Sequence, residues 1–299
     1  MASLRDVRRR IRSFQNTQKI TKAMQVVAAT RLRRAQGAVQ ASRPYADKMV
    51  EVLATTAERA TEYRHAYLER REGDRALVIL VTADRGLCGA LNSNTLRAVN
   101  RYVIEHHRGQ ARYATVGRKG RDFLARYRRD IVAEVSGLPD RPGIAPVLSV
   151  VAAALDEYDE GRVDTVLLAY ARWVSTLRQD PEIRTLLPIT LPGAPSPSEG
   201  EGRAGGAERG PANDYIYEPG PEAVLDALLP RYIETQVYQA VLENQASFYS
   251  AQMLAMQNAT NAAGDLIKSY SLTANKIRQA AITAELMEIV SGAEALRKE

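Results

Sequence analysis

The residues of this chain that come nearest to a chemical site are Asp84-Arg85-Gly86-Leu87-Cys88-Gly89-Ala90-Leu91-Asn92. They lie between an apolar run and a segment of helical spacing, where phosphate-binding loops are found. The chemistry would be anion binding by backbone amides that glycine leaves uncovered. The glycine spacing, however, is neither G-x-G-x-x-G nor a Walker loop ending in G-K-[ST]. A tight turn, with glycine at positive φ and with Asp84 and Arg85 bonded to backbone, accounts for the same residues and carries more weight. Cys88 would be a thiol nucleophile if a histidine stood beside it. His65, His106 and His107 fall in helical or loop segments expected at the surface, so Cys88 reads better as a small buried side chain. Three histidines and one cysteine leave little material for a transition-metal site, and one cysteine forms no intramolecular disulfide. No catalytic, cofactor-binding or metal-binding residue is expected.

Two further groups are suited to binding rather than catalysis. The first 36 residues carry ten Lys/Arg (Arg5, Arg8, Arg9, Arg10, Arg12, Lys19, Lys22, Arg31, Arg33, Arg34) against one acid, Asp6. Charge of that density implies an acidic partner surface of protein, nucleic acid or membrane. Nucleic acid is disfavoured, because no known binding motif is present and Phe14 is the only aromatic in the first 44 residues. Membrane is disfavoured because the apolar face is a narrow stripe that a partner helix would cover. The second group, Asn275, Lys276, Arg278, Gln279 and Thr283, forms a polar collar near the C-terminal end; on its own it is equally a solvent face.

The elements that must position these groups are two long helices. After Pro230 there is no proline in the remaining 69 residues. Met256, Ala259, Ala263, Leu266, Tyr270, Thr273, Ile277, Ala280, Ala284 and Met287 recur at alternating steps of three and four, a heptad seam for a partner helix. Near the end the seam shifts to Ile282, Leu286, Ile289, Ala293 and Leu296. The spacing predicts a helix over 221–295, about 110 Å long. At the other end Ser3 and Asp6 form a capping pattern. Leu4, Val7, Ile11, Phe14, Gln18, Thr21, Gln25, Ala28, Leu32, Ala35 and Val39 make a second seam, flanked by a stripe of Ile20, Met24 and Val27. A helix is expected over 4–58, bent at Pro44.

Between the helices, strands at 76–82, 112–116, 131–135 and 163–173 alternate with helices at 91–107, after Gly117 and at 146–158. That pattern predicts an α/β unit on a mostly parallel sheet. Residues 193–213 hold nine Gly/Pro and no aliphatic larger than alanine, so a mobile surface loop is expected. Residues 215–218 are candidates for a return to the sheet edge. Folded as an antiparallel hairpin, the helices bring residues 58 and 221 together at the α/β unit. The C-terminal tip, longer by about 20 residues, then projects about 30 Å beyond its partner. The whole chain carries +6. It has no run approaching 18 apolar residues and no apolar leader, so a soluble intracellular chain is expected.

Taken together, the stretches 11–35 (IRSFQNTQKITKAMQVVAATRLRRA), 82–92 (TADRGLCGALN) and 275–293 (NKIRQAAITAELMEIVSGA) closely resemble the gamma subunit of the F-type ATP synthase. SRPYA at 42–46, YDEGR at 158–162 and ANDYIYEP at 212–219 match as well, so the likeness runs nearly end to end. The resemblance implies an α/β fold made of three parts. Residues 1–58 and 221–299 would form a long antiparallel coiled coil, and residues 75–220 an inserted Rossmann-like foot domain that includes the 193–213 loop. It implies a central rotor shaft that couples rotation of the membrane c ring to conformational change in the alpha3beta3 ring, during proton-driven ATP synthesis or hydrolysis. Partners would be the alpha, beta and epsilon subunits and the c ring, with one copy of this chain per complex. The place would be the cytoplasmic face of the bacterial inner membrane, as a peripheral part of the F1 sector.

By the same resemblance, Lys19, Lys22 and Met24 lie where the N-terminal helix meets the acidic lever loop of beta. Arg278, Gln279 and Thr283 correspond to the collar near the beta catch loop, and Tyr215, Tyr217 and Glu218 to the foot segment facing the c ring. Nucleotide-binding residues belong to alpha and beta, so the chain itself would be non-catalytic and without a cofactor, and the 84–89 motif would not be a nucleotide site. Many family members carry a glutamate and an arginine where this chain has Phe248 and Gln252, a paired change that is balanced within one helix face. The paired cysteines of the plant chloroplast form are missing, so thiol regulation is not expected. The other readings are a long-helix scaffold with a nucleotide-sensing α/β insert and, further off, a basic nucleic-acid-binding coiled coil.

Overall fold

In a computed structural model, residues 3–59, 63, 65–190, 218 and 220–297 are described. Helix α1 spans Leu4–Arg59 and α5 spans Pro221–Arg297, 56 and 77 residues respectively. The start of α1 is held as its sequence pattern requires. The Asp6 N–H donates to Ser3 Oγ at 3.2 Å, and the Ser3 hydroxyl donates back to the Asp6 carboxylate at 2.8 Å. The helix runs without a break through Pro44, and α5 likewise through Pro230.

Between them lie β1 (Ala76–Val81), α2 (Leu91–His107), β2 (Ala111–Val116), α3 (Arg118–Arg126), β3 (Ile131–Val135), α4 (Ala145–Asp159), β4 (Thr165–Trp173) and β5 (Gln179–Leu187). The strand order is β3-β2-β1-β4-β5. The first four strands are parallel, and β5 returns antiparallel along β4. Every residue of β1 is buried, as expected of a strand covered on both faces. One face of β1 (Ala76, Val78, Leu80) packs with Leu96, Val99 and Val103 of α2 and Leu124 of α3. The other (Leu77, Ile79, Val81) packs with α4 and the long helices.

Strand β5 has no counterpart in the sequence expectations. Its residues QDPEIRTLL are mostly polar and only half buried, so hydrophobicity does not mark them. Pro181 is tolerated there because an edge strand leaves alternate N–H groups without a ladder partner. Of the 215–218 segment expected at the sheet edge, only Glu218 lies within the described residues, and it is exposed.

The domain is fixed to the helices by a shared core. Met49 and Leu53 of α1 and Leu225, Leu229, Ile233 and Val237 of α5 join Leu77, Ile79, Val147 and Val151 in one cluster. Leu53 and Leu229 are fully buried. A fully buried leucine contributes about 1.5–3 kcal/mol, so these side chains anchor both long helices to the sheet.

Candidate functional site: the coiled coil, its tip and the sheet edge

The two long helices run antiparallel with a constant register. Arg10 donates to the Tyr270 hydroxyl at 3.1 Å, the Thr21 and Thr260 hydroxyls lie 2.8 Å apart, and Ser42 donates to Gln239 Oε1 at 2.5 Å. In each pair the residue numbers sum to 280 or 281, which sets Leu4 opposite Ile277. The α1 seam is as the sequence predicts: Val7, Thr21, Ala28, Leu32, Ala35 and Val39 are buried, and the seam positions between them are half buried. The α5 seam differs. Met256, Ala263, Tyr270 and Ile277 face the partner as expected, but Leu266 and Thr273 are exposed. Ile267 and Ala274 take their places, and Thr260 is buried where Ala259 is only half buried, each one residue further along its turn. The cause is polar. The Thr260 hydroxyl pairs with Thr21, and Gly264 gives room to Gln18, whose Nε2 would stand 3.1 Å from a Cβ at 264. Gln25 also donates to Gln257 across the same layer.

Beyond Ile277, α5 has no partner helix among the described residues. Every residue from Arg278 to Ser291 is exposed, including Ile282, Leu286, Met287, Ile289 and Val290 at 49% to 68%. The stretch Arg278–Arg297 is about 30 Å long, which matches the overhang expected from the unequal helices.

The residues singled out from the sequence fall into two belts. Lys19 and Lys22 are exposed on α1 and Met24 is half buried. The Lys22 ammonium donates to Gln25 Oε1 at 3.2 Å. Beside them Ile20, Val26 and Val27 are at least half exposed. Arg278, Gln279 and Thr283 are all exposed, and the Thr283 hydroxyl donates to the Gln279 carbonyl at 2.9 Å. At the register above, these belts are separated by about 30 Å along the shaft, so the structure does not bring them into one site. Tyr215 and Tyr217 lie outside the described residues.

At the carboxyl edge of the sheet, Asp84 accepts the Arg118 N–H at 2.9 Å on Oδ1 and the Gly137 N–H at 2.9 Å on Oδ2. One side chain thereby ties the ends of β1, β2 and β3. The next two amides of α3 are also committed: Lys119 N–H to the Ala83 carbonyl at 3.1 Å and Gly120 N–H to Thr82 Oγ1 at 2.8 Å. Gly117, at φ 99°, leads into this turn, and a Cβ there would stand 2.0 Å from the Thr82 carbonyl oxygen. The amides that would cradle a phosphate at the start of α3 are therefore closed by the protein itself.

Cys88 is buried against Asn92, whose amide donates to its Sγ at 3.4 Å, and burial pushes the thiol up. His107 is buried rather than at the surface, because its Nδ1 lies 3.0 Å from the Asp74 carbonyl oxygen. It stands at the opposite end of α2 from the Cys88 turn, about 24 Å along the helix, so no thiol–imidazole pair forms between them.

Sequence reasoning missed a stripe of polar residues on α5. Asn244 accepts the Ala171 N–H at 3.4 Å, and Ser247 donates to the Ala171 carbonyl at 2.8 Å. Ser250 accepts from the Trp173 indole at 3.1 Å. Asn244 and Ser247 satisfy the buried backbone at Ala171, which would otherwise lack partners, and Ser250 satisfies the Trp173 indole. Their spacing of three residues was the available signal. Nearby, Asp140 is held by Arg31 at 3.2 Å and by the Tyr249 hydroxyl at 2.7 Å. Burial, and then the Asp140 hydrogen bond, push that phenol up to about 12. Phe248 packs inward, 7% exposed, with Leu32, Ala83, Leu91 and Leu242, while Gln252 is half buried.

Residues 3–296 match the family model described as ATP synthase. The chain is 46% identical over 299 residues to the ATP synthase gamma chain of Paraburkholderia phytofirmans, covering 99% of this chain and 100% of that one. It is 44% identical over 302 residues to the ATP synthase gamma chain of Chloroflexus aurantiacus, covering 99% of each. Among solved structures, a chain of the Euglena gracilis mitochondrial ATP synthase OSCP/F1/c-ring assembly aligns with TM-score 0.65 at 20% identity, over 98% of this chain and 94% of that one. A chain of the Tetrahymena thermophila mitochondrial ATP synthase central stalk and c-ring aligns with TM-score 0.56 at 22% identity, over 80% and 99%. At those identities the structural likeness is one of fold. The sequence relationship covers nearly the whole length, and on it the chain belongs to the ATP synthase gamma chain family.

Proposed function

We propose that this chain is the central rotor stalk of the F1 sector of a proton-translocating ATP synthase, turning with the membrane c ring inside an alpha3beta3 ring. The observation that carries the reading is the single-helix end of α5, exposed at every residue from Arg278 to Ser291. A long exposed helix with large apolar side chains needs a surrounding partner, and a ring supplies one. Each angular position of an asymmetric two-helix shaft would favour one arrangement of the ring, which is differential contact with alternative conformations.

In this reading residues 1–58 and 221–299 form the shaft and residues 75–220 the foot. Lys19, Lys22 and Met24 make the lower belt of contacts with the ring and Arg278, Gln279 and Thr283 the upper one. Tyr215, Tyr217 and Glu218 face the c ring, and epsilon binds beside the foot. The chain performs no catalysis of its own. No helix among the described residues is long and apolar enough to cross a membrane, which accords with peripheral attachment at the cytoplasmic face of a bacterial inner membrane.

The test is isolation from native membranes through an affinity tag placed within residues 193–213. Recovery of alpha, beta and epsilon chains with ATPase activity, at three beta per gamma, is the expected result. Recovery of the chain alone, or with nucleic acid, would overturn the reading.

A further inference from the structure

Beyond the carboxyl ends of β1, β2 and β3, and roofed by α5, is a cavity of about 340 Å³. That volume lies in the range of small-molecule sites, and nothing in the shaft function uses it. Its polar groups divide into those already committed and those left open. Asp84 is held by two backbone amides, and Asp140 by Arg31 and Tyr249. Neither carboxylate is therefore an isolated negative charge facing the space.

Asn244 is 6% exposed and lines the cavity. Its Oδ1 is committed to the Ala171 amide, while its Nδ2 has no hydrogen-bond partner among the described residues. Gln245 donates its amide to the Pro139 carbonyl at 3.2 Å, which leaves its Oε1 free to accept. Phe248, an aromatic side chain, lines the same space. At the rim, Arg85 and Arg118 are both exposed, and among the described residues neither guanidinium forms a hydrogen bond or ion pair, although the Arg118 backbone N–H is held by Asp84.

An open amide donor and an open amide acceptor beside an aromatic side chain suit the edge and face of a heterocyclic ring. Two unpaired guanidinium groups suit a phosphate, which they bind through charge-assisted bonds. We propose that this cavity binds a purine nucleotide, with its base against Phe248 between Asn244 and Gln245 and its phosphate held by Arg85 and Arg118. The grip on the phosphate is by side chains, because the amides at the start of α3 are closed. Since α5 supplies the roof and the strand ends the floor, the bound nucleotide links foot to shaft.

The test is equilibrium dialysis and amide NMR of the full chain, purified free of other subunits, with AMP and ADP as probes. Saturable binding is expected, with shifts at Asn244, Gln245 and Phe248. Arg85→Gln with Arg118→Gln, on the surface and clear of the core, is expected to weaken it about tenfold or more. Lys119→Gln, outside the cavity, is expected to leave it unchanged. No saturable binding at millimolar nucleotide would overturn the proposal, as would equal affinity in the double arginine variant. Ribose 5-phosphate binding as tightly as AMP would overturn the role of the base, and adenosine doing so that of the arginines.

Discussion

Replacing Asp84 tests whether this residue ties the sheet together or only decorates a turn. Its two oxygens each accept one backbone N–H at 2.9 Å, from Arg118 and from Gly137. A hydrogen bond to a charged group contributes about 1.5–3 kcal/mol when sheltered. Asp84 is half buried, so water replaces part of each bond when the carboxylate is removed. Taking about 1 kcal/mol per bond, Asp84→Ala is expected to cost about 2 kcal/mol. Asp84→Asn keeps the shape but turns an N–H₂ donor toward one of the two amide donors. It is therefore expected to cost nearly as much as alanine, where a purely steric role would make it silent. Denaturant unfolding of the full chain gives the stability change, and amide hydrogen exchange locates it, with protection lost at Arg118 and Gly137 in both variants. If both variants stay within about 0.5 kcal/mol of the parent, with those amides still protected, the bracing role assigned to Asp84 is wrong.

The Thr21–Thr260 pair has two protons for three acceptors, since each hydroxyl also reaches a carbonyl of its own helix. Thr21→Val alone is expected to cost about 1 kcal/mol and the Thr21→Val/Thr260→Val pair to recover most of it, as read by a double-mutant cycle of thermal unfolding. Deleting residues 278–299 is expected to leave the stability of the isolated chain within about 0.5 kcal/mol, because no residue from Arg278 to Ser291 is buried; a larger loss would mean that the tip folds back on the shaft. The Glu243 carboxyl lies among Gln239 on its own helix, Arg184 and Glu182 on β5 and Arg43 on α1, and burial raises it above the ordinary 4.5. The folded state then holds a proton that the unfolded state has already lost, so this group's contribution to stability falls as pH rises from 4.5 through the folded value. Glu243→Gln is expected to flatten that part of the stability–pH curve; an unchanged slope would refute it.

The hydrophobic pattern of α1 was fully readable because each seam residue from Val7 to Val39 meets the same partner in steady register. Strands β1 and β4 were readable for a related reason: they lie inside the sheet, and their runs are largely buried and apolar. Pattern failed where polar groups decide the packing. On α5, Leu266 looked like the contact, and Thr260, through one hydroxyl pair, moved the seam by a residue. Strand β5 is polar because it is an edge. His107 looked exposed at a helix end, yet one carbonyl oxygen holds it inside. Asn244, Ser247 and Ser250 carried no pattern beyond their spacing that set them apart within α5, yet the first two close the Ala171 backbone of β4 and the third holds the Trp173 indole. The overhang of the α5 tip followed from helix length alone, while the closure of the α3 amides is set by tertiary placement, since no residue pattern states where an N–H points.

The step at Ile277, where two bonded helices become one, changes the chain as a mechanical part. Two rods fastened side by side by the Thr21–Thr260 and Gln25–Gln257 layers resist bending and twisting more than either rod does alone. Past the step a single helix must carry any load on its own backbone hydrogen bonds. Deflection under a sideways push should therefore concentrate in the last 20 residues, like flexure in a stepped beam, while the section rooted in the sheet turns nearly as a rigid piece. A twist applied at the foot would reach the Lys19–Met24 belt almost undiminished and would arrive at the Arg278–Thr283 belt later and softened, so the two belts would sample the same rotation with different stiffness.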